Sequence, residues 1–270
     1  MQTNFMARTG PGIVAGAALV GLASQALAGI TGDPLSLSVS NAGGGTGTWR
    51  VRVTDGTWSA DHQTWSYDGA SDPRGHQDTT VGSATFGRWV FDVRDTSTSE
   101  IVATLPLDDI SIEFQQDPQV ILNIGVVAGA VATNFTISSA LVSYGAIPNS
   151  IATASAGLSI TDRNGNGATL TGLYGGSNAY LAQYNGFVPG GTTYTTLVGP
   201  IAAGAFLTGS GSGNAGPNNI GTTFDMSAQW SFTLSARDSA TGTSTYVITP
   251  APGAMALLGV GGLLMGRRRR

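Results

Sequence analysis

The chain contains no cysteine and no lysine. Without cysteine there are no disulfides, no thiolate metal sites and no cysteine nucleophiles. A chain of 270 residues does without such staples, because a fold of this size buries enough apolar surface to hold itself. Charge is also scarce. Only 10% of residues are Asp, Glu, Lys or Arg, against about 25% in an ordinary soluble domain. All twelve basic residues are arginine, and four of them stand together at the C-terminus. Between residues 29 and 249, seven arginines face sixteen acids, a net charge of about −9. A surface of that sign repels phosphate backbones, which argues against nucleic acid as a partner, and it attracts Ca²⁺.

Forty glycines and many Ser, Thr and Asn residues take the place of the missing charge. Residues 29–249 show period-two alternation and almost no helical period. In residues 48–54, Trp49, Val51 and Val53 share one face and Arg50 and Arg52 the other. Trp89, Phe91 and Val93 repeat the pattern, as do Trp230, Phe232 and Leu234. Half-buried strands of this kind belong to antiparallel sheets with one wet face. Further strands are predicted at 35–41, 99–105, 110–115, 119–127, 133–143, 156–162, 168–174, 193–198 and 243–248. Val120 to Val131 reads as buried on both faces, and Gly209 to Asn219 as a flexible Gly/Ser loop. A dozen short strands with Gly, Asn and Asp-Pro punctuation predict an all-β, antiparallel β-sandwich of jelly-roll-like type. It is expected to be flanked by an N-terminal signal helix and a short C-terminal hydrophobic helix.

Residues 1–28 have the three parts of a secretory signal. Arg8 is the positive start, Ile13 to Leu22 the apolar run, and Ala26-Leu27-Ala28 the small-residue exit that places signal-peptidase cleavage before Gly29. Residues 250–270 also fall into three parts. Pro250-Ala251-Pro252 fixes φ and is expected to stay extended and unpaired. Gly253 to Gly266 carries no polar side chain. As a helix it would span about 21 Å, short of a bilayer core of about 30 Å. Arg267, Arg268, Arg269 and Arg270 would remain cytoplasmic by the positive-inside rule. That leaves 29–249 as the exported domain, with the tail either a sorting signal removed after use or a weak lasting anchor.

This tail resembles the PEP-CTERM sorting signal, in which a Pro-x-Pro motif precedes a short hydrophobic helix and an arginine cluster. The resemblance covers about 22 residues and does not reach the central domain. It implies transient membrane contact, cleavage near the proline motif by an exosortase-type protease, and a bacterial source that makes exopolysaccharide. Pro250 and Pro252 match the motif's prolines and Arg267 to Arg270 its basic end. Ala251 stands where the family usually has Glu, which leaves open which processing enzyme accepts it. The destination implied is the cell surface, outer envelope or extracellular matrix.

Within the central domain three groups have chemistry to weigh. Asp162, Asn164 and Asn166 in Asp-Arg-Asn-Gly-Asn-Gly match the start of a calcium loop, though position twelve is Leu173, and Asn-Gly equally signals a plain turn. Trp58, Trp65 and Tyr67 are candidates to stack on sugar rings, or else belong to a solvated loop whose tryptophans fold back onto the core. They sit among Asp61, His62, Asp68, Asp72, His76 and Asp78, which would suit metal binding or acid–base work without matching a known spacing. Asp108, Asp109 and Glu113 are paired carboxylates of the kind glycoside hydrolysis uses, or residues of a turn. No catalytic set emerges and no cofactor other than Ca²⁺ is suggested. The reading is therefore an exported structural or adhesive protein rather than an enzyme. A binding module for extracellular polysaccharide is the alternative, with a secreted glycoside hydrolase behind it.

Overall fold

The computed structural model describes residues 27–115, 117–187 and 190–251. The expected signal helix with Ala26, the C-terminal hydrophobic helix, Pro252 and Arg267 to Arg270 lie outside the described residues. Ala28 and Gly29 fall in the first strand.

Alternating apolar and polar residues produce strands β1 (Leu27–Asn41), β2 (Thr46–Val51), β3 (Thr57–Trp58), β4 (Thr64–Asp68), β5 (His76–Gln77), β6 (Trp89–Arg94), β7 (Ile101–Pro106) and β8 (Ser111–Gln115). They continue with β9 (Gln119–Ala128), β10 (Thr133–Thr161), β11 (Ala168–Gly172), β12 (Tyr180–Tyr184), β13 (Thr192–Leu197), β14 (Ile201–Ala203), β15 (Thr208–Leu234) and β16 (Ser239–Pro250). Every pairing is antiparallel, and the strands form one hydrogen-bonded network. Two long strands fold that network over. β10 and β15 pair from Thr133↔Leu234 to Thr161↔Thr208, with irregularities between Ser138 and Ala154. Bulges of this kind bend a ribbon and let it pass from one layer to another.

On one side of the bend β10 lies between β1 and β15, and β2, β11, β12 and β13 extend that layer. On the other side β10 lies between β15 and β16. There β9 follows β16, with β8-β4-β3 and β7-β6-β5 beyond it. The two layers share one apolar core. Leu35, Trp49 and Phe135 come from the first, Leu105, Phe114 and Leu122 from the second. The all-β antiparallel sandwich expected from the alternation is the fold observed.

Two readings are corrected. Gly209 to Asn219 is not a loop but the first half of β15, paired with β10 from Gly209↔Ile160 to Asn219↔Ile151. Gly209, Gly211 and Gly213 lie against β13 and β14, where an added Cβ would meet the Ala202 carbonyl at 2.4 Å, Ile201 at 3.1 Å and Leu197 at 3.2 Å. Ser210, Ser212 and Asn214 point to solvent. The Gly-Ser alternation is a strand period whose inner face has no room for side chains. Pro250 is not unpaired either. It ends β16 opposite Ser150, and the Ala251 N–H donates to the Asn149 carbonyl at 3.2 Å.

Candidate functional site

Strand register sets small polar residues in ranks on the outer face of the second layer. Ser212, Gly157, Thr243, Asn123 and Ser111 stand side by side on β15, β10, β16, β9 and β8. Ser210, Ser159, Thr241 and Gly125 form the next rank. Between the ranks, Leu158 and Ile124 turn inward and are buried. Neighbouring strands are about 4.8 Å apart, so each rank offers a hydroxyl, an amide or a gap at that interval.

The turn at Leu107–Asp109 walls one side. The Asp109 side chain lies directly on β9, where a Cβ at Gly125 would come within 2.5 Å of it. Together the ranks and the wall enclose a groove of about 730 Å³, within the usual range for ligand sites. Arg88 holds both acids of the wall, at 2.6 Å from Asp108 and 2.8 Å from Asp109. Asn123 Nδ2 donates to Ser111 Oγ at 2.8 Å. No aromatic residue lines the groove among the described residues.

The expected sugar-stacking residues are not in this groove. Trp65 and Tyr67 are core residues, 0% and 4% exposed, so neither can stack on a sugar. β4 alternates with both rings inward. Trp65 packs on Phe114 with centroids 5.7 Å apart and donates its indole N–H to the Val53 carbonyl, while the Tyr67 hydroxyl donates to Asp72 Oδ2 at 2.7 Å. Trp58 alone stays accessible, beside the His62 ring.

The surrounding polar residues resolve into turn chemistry. Asp72 is buried and clamped by the Arg74 guanidinium at 2.5 Å. Burial pushes its carboxyl up, but hydrogen bonds from Arg74 and Tyr67 outweigh that and hold it below the usual range. The hydroxyls of Ser83 and Thr85 and the Thr80 N–H bring Asp78 down to about 2. His76 Nε2 lies 3.7 Å from Asp92, and Glu113 accepts from Gln115.

At the expected calcium loop Asp162 is buried while Asn164 and Asn166 are exposed. Asp162 Oδ2 accepts from Gly165 N–H, and Asn164 Oδ1 from Asn166 N–H. These two oxygens serve the turn joining β10 to β11. Among the described residues no group of three or more His, Cys, Asp or Glu is placed to hold a metal ion. Of the paired carboxylates, Asp108 and Asp109 reach the groove, and Glu113 does not line it. Sequence reasoning missed the Ser, Thr and Gly residues of the ranks, which become a site only once register aligns five strands.

No family model matches the sequence, and no curated protein does. Among solved structures, TmCBM61 in complex with β-1,4-galactotriose is 10% identical over 49% of this chain and 71% of that one, with a TM-score of 0.27. The enzymatically active domain of bacteriophage CBA120 tailspike protein 4 is 10% identical over 47% of this chain and 15% of that one, TM-score 0.23. A chain of infectious bursal disease virus, Gx strain, is 10% identical over 79% and 59%, TM-score 0.19. Likeness at this level says nothing about what this chain binds.

Proposed function

We propose that this chain is an exported, non-enzymatic surface protein whose β domain holds extracellular polysaccharide in the five-strand groove. The observation that carries this reading is the pair of polar ranks, which give an uncharged polymer laid across the strands a hydrogen-bonding partner at regular intervals. The sequence supports delivery, through the signal-like residues 1–28 and the PEP-CTERM-like residues 250–270. The position of the groove suits display. Thr243 lies seven residues before Pro250 on β16, roughly 23 Å along the strand from where the chain leaves the sheet.

Hydrolysis is disfavoured because Asp108 and Asp109 share one guanidinium. Acid and base catalysis calls for two carboxyls in different surroundings.

Gly157 provides the test. A Cβ there meets nothing nearer than Ser212 Cβ at 3.8 Å and points into the groove, so Gly157→Trp is the substitution chosen to fill it. In affinity electrophoresis through gels containing neutral polysaccharides or the producing cells' exopolysaccharide, the native protein should be retarded and the variant not, at equal melting temperature. Retardation of neither, or of both alike, removes the groove from the account. For the sorting part, mass spectrometry of the surface protein should find a start at Gly29 and an end near Pro250 to Pro252. An intact Arg270 would refute cleavage.

A further inference from the structure

The open edge of a sheet is a template for a further strand, and folded proteins guard such edges with charge, bulges, proline or brevity. This chain guards several of its own. At β2 charged side chains occupy outward main-chain groups. The Thr46 N–H donates to Asp95 Oδ2 at 2.7 Å, and the Arg50 carbonyl accepts from Arg74 at 2.7 Å. Just past the end of β2 the Arg52 N–H donates to Asp55 Oδ2 at 2.8 Å. Where β1 runs beyond β2 it carries Asp33 and Pro34. β3 and β5 are two residues long and β14 three. β13 is bulged at Tyr194, since Ala182 faces Thr195 while Gln183 faces Thr193.

The first half of β15 has none of these guards. From Thr208 to Ala215 it pairs with β10 in unbroken register. On its other side β12 and β11 join only from Met226 onward. Every second residue of 208–215 therefore turns its N–H and C=O away from β10. Among the described residues no hydrogen bond from outside β10 reaches those groups. No residue of the stretch is buried. Its side chains are those of Thr, Ser, Asn and Ala, separated by glycine, and the run stops at Gly216-Pro217. The surroundings are neutral as well. β10 carries no charged residue, and between Arg163 and Arg237 the one charge is Asp225.

The occupant that fits this edge is a second copy. A domain of about −9 repels itself wherever its acids lie, and this side is free of them. The edge is also self-complementary. A two-fold axis through Ser212, perpendicular to the sheet, sets Ser212 beside Ser212 and Ser210 beside Asn214, with like faces on one side. Ser212 ends the first polar rank of the groove. We propose that two copies of this chain pair antiparallel along Gly209–Ala215, so that two five-strand grooves become one continuous polar face. The rank Ser111, Asn123, Thr243, Gly157, Ser212 of one copy then runs directly into the same rank of the other. What the doubled face holds rests on the polysaccharide reading above, whereas the pairing does not.

The absence of native cysteine makes cross-linking unambiguous. Ser212→Cys should form a disulfide-linked dimer on mild oxidation, because opposed residues of antiparallel strands bring their Cα atoms to about 4.5–5.5 Å, within disulfide reach. Thr48→Cys, on the guarded β2 edge, should stay monomeric under the same conditions. In sedimentation without polysaccharide, the native protein should show a monomer–dimer equilibrium with a Kd of about 1 mM or tighter. Ser212→Lys and Ser212→Asp should each weaken it by about fivefold, since like charges then face each other, and mixing the two variants should restore the dimer. The proposal is overturned by a native protein that stays monomeric up to about 1 mM. Equal cross-linking at positions 212 and 48, or a dimer that both charge variants leave unchanged, overturns it too. Every arm is read without polysaccharide, so retardation in gels stands or falls separately.

Discussion

From Asp33 to Asp109 six arginine–carboxylate pairs tie the chain, and every arginine in them (Arg50, Arg74, Arg88 and Arg94) belongs to that stretch. Across β10 and β15, by contrast, the side-chain links are neutral. They include Thr161 to Thr208 at 2.9 Å, Ser150 to Thr223 at 2.7 Å and Thr233 to Asn134 at 2.6 Å. The first region is made of short strands and turns, whose main-chain groups need side-chain partners, and carboxylates supply them. The second is a long ladder whose main-chain groups are met by the facing strand and, at a bulge, by Ser139 Oγ accepting from the Ala228 N–H, so it needs no carboxylates for this. The difference shows where this protein's few charge pairs lie: among the short strands and turns of residues 33–109, not across the long ribbon.

Three measurements would break or sharpen that contrast. The largest effect should come from Trp230→Ala in the ribbon. Trp230 is fully buried with its ring 5.0 Å from Tyr180, and truncation of such a side chain costs about 3–5 kcal/mol, a fall in melting temperature of about 10 °C. Arg74→Ala should cost less, about 2 kcal/mol. It strips the counterion from buried Asp72, a bond to the Arg50 carbonyl and the contact over Trp49. If Arg74→Ala equals or exceeds Trp230→Ala in chemical denaturation, packing does not dominate. The smallest effect is local. Asp72, Asp78 and Asp95 are all held low by their donors, so their contribution is complete above about pH 4 and fades as pH falls. Hydrogen exchange at pH 3 should then show amides of residues 69–110 losing protection while those of β10 and β15 keep it. Uniform loss would mean that the two regions are not distinct.

Much of the fold was legible because alternation is a local signal. Trp49/Val51, Phe91/Val93 and Trp230/Phe232/Leu234 each declare a strand and its inner face. β12 was not foreseen, because Tyr180 to Gln183 is buried without alternating. The first half of β15 was misread because glycine marks both a flexible linker and a strand pressed against a neighbour, and only the neighbour distinguishes them. The acids around Trp65 and Tyr67 leave two readings open in sequence, rings exposed for sugar or rings folded back onto the core, and the structure gives the second. In space the acids are turn residues and the rings belong to β4. The groove was illegible for a different reason. Ser212, Gly157 and Thr243 carry no chemistry singly, and their alignment depends on a register set by pairings far apart in sequence.

That register bears on the order in which the chain assembles. Thr161 and Thr208, the inner end of the β10–β15 ladder, are 47 residues apart, while Asn134 and Thr233 near its outer end are 99 apart. Each doubling of a closed loop costs about 0.6 kcal/mol more, so closure at the inner end is cheapest and every later rung then adds only a short extension. β1 and β16 each gain a second partner when the ribbon forms, beside β2 and β9 respectively. Within the β10–β15 ribbon, pairing is thus cheapest to start at the end that carries Asp162 and Asp238.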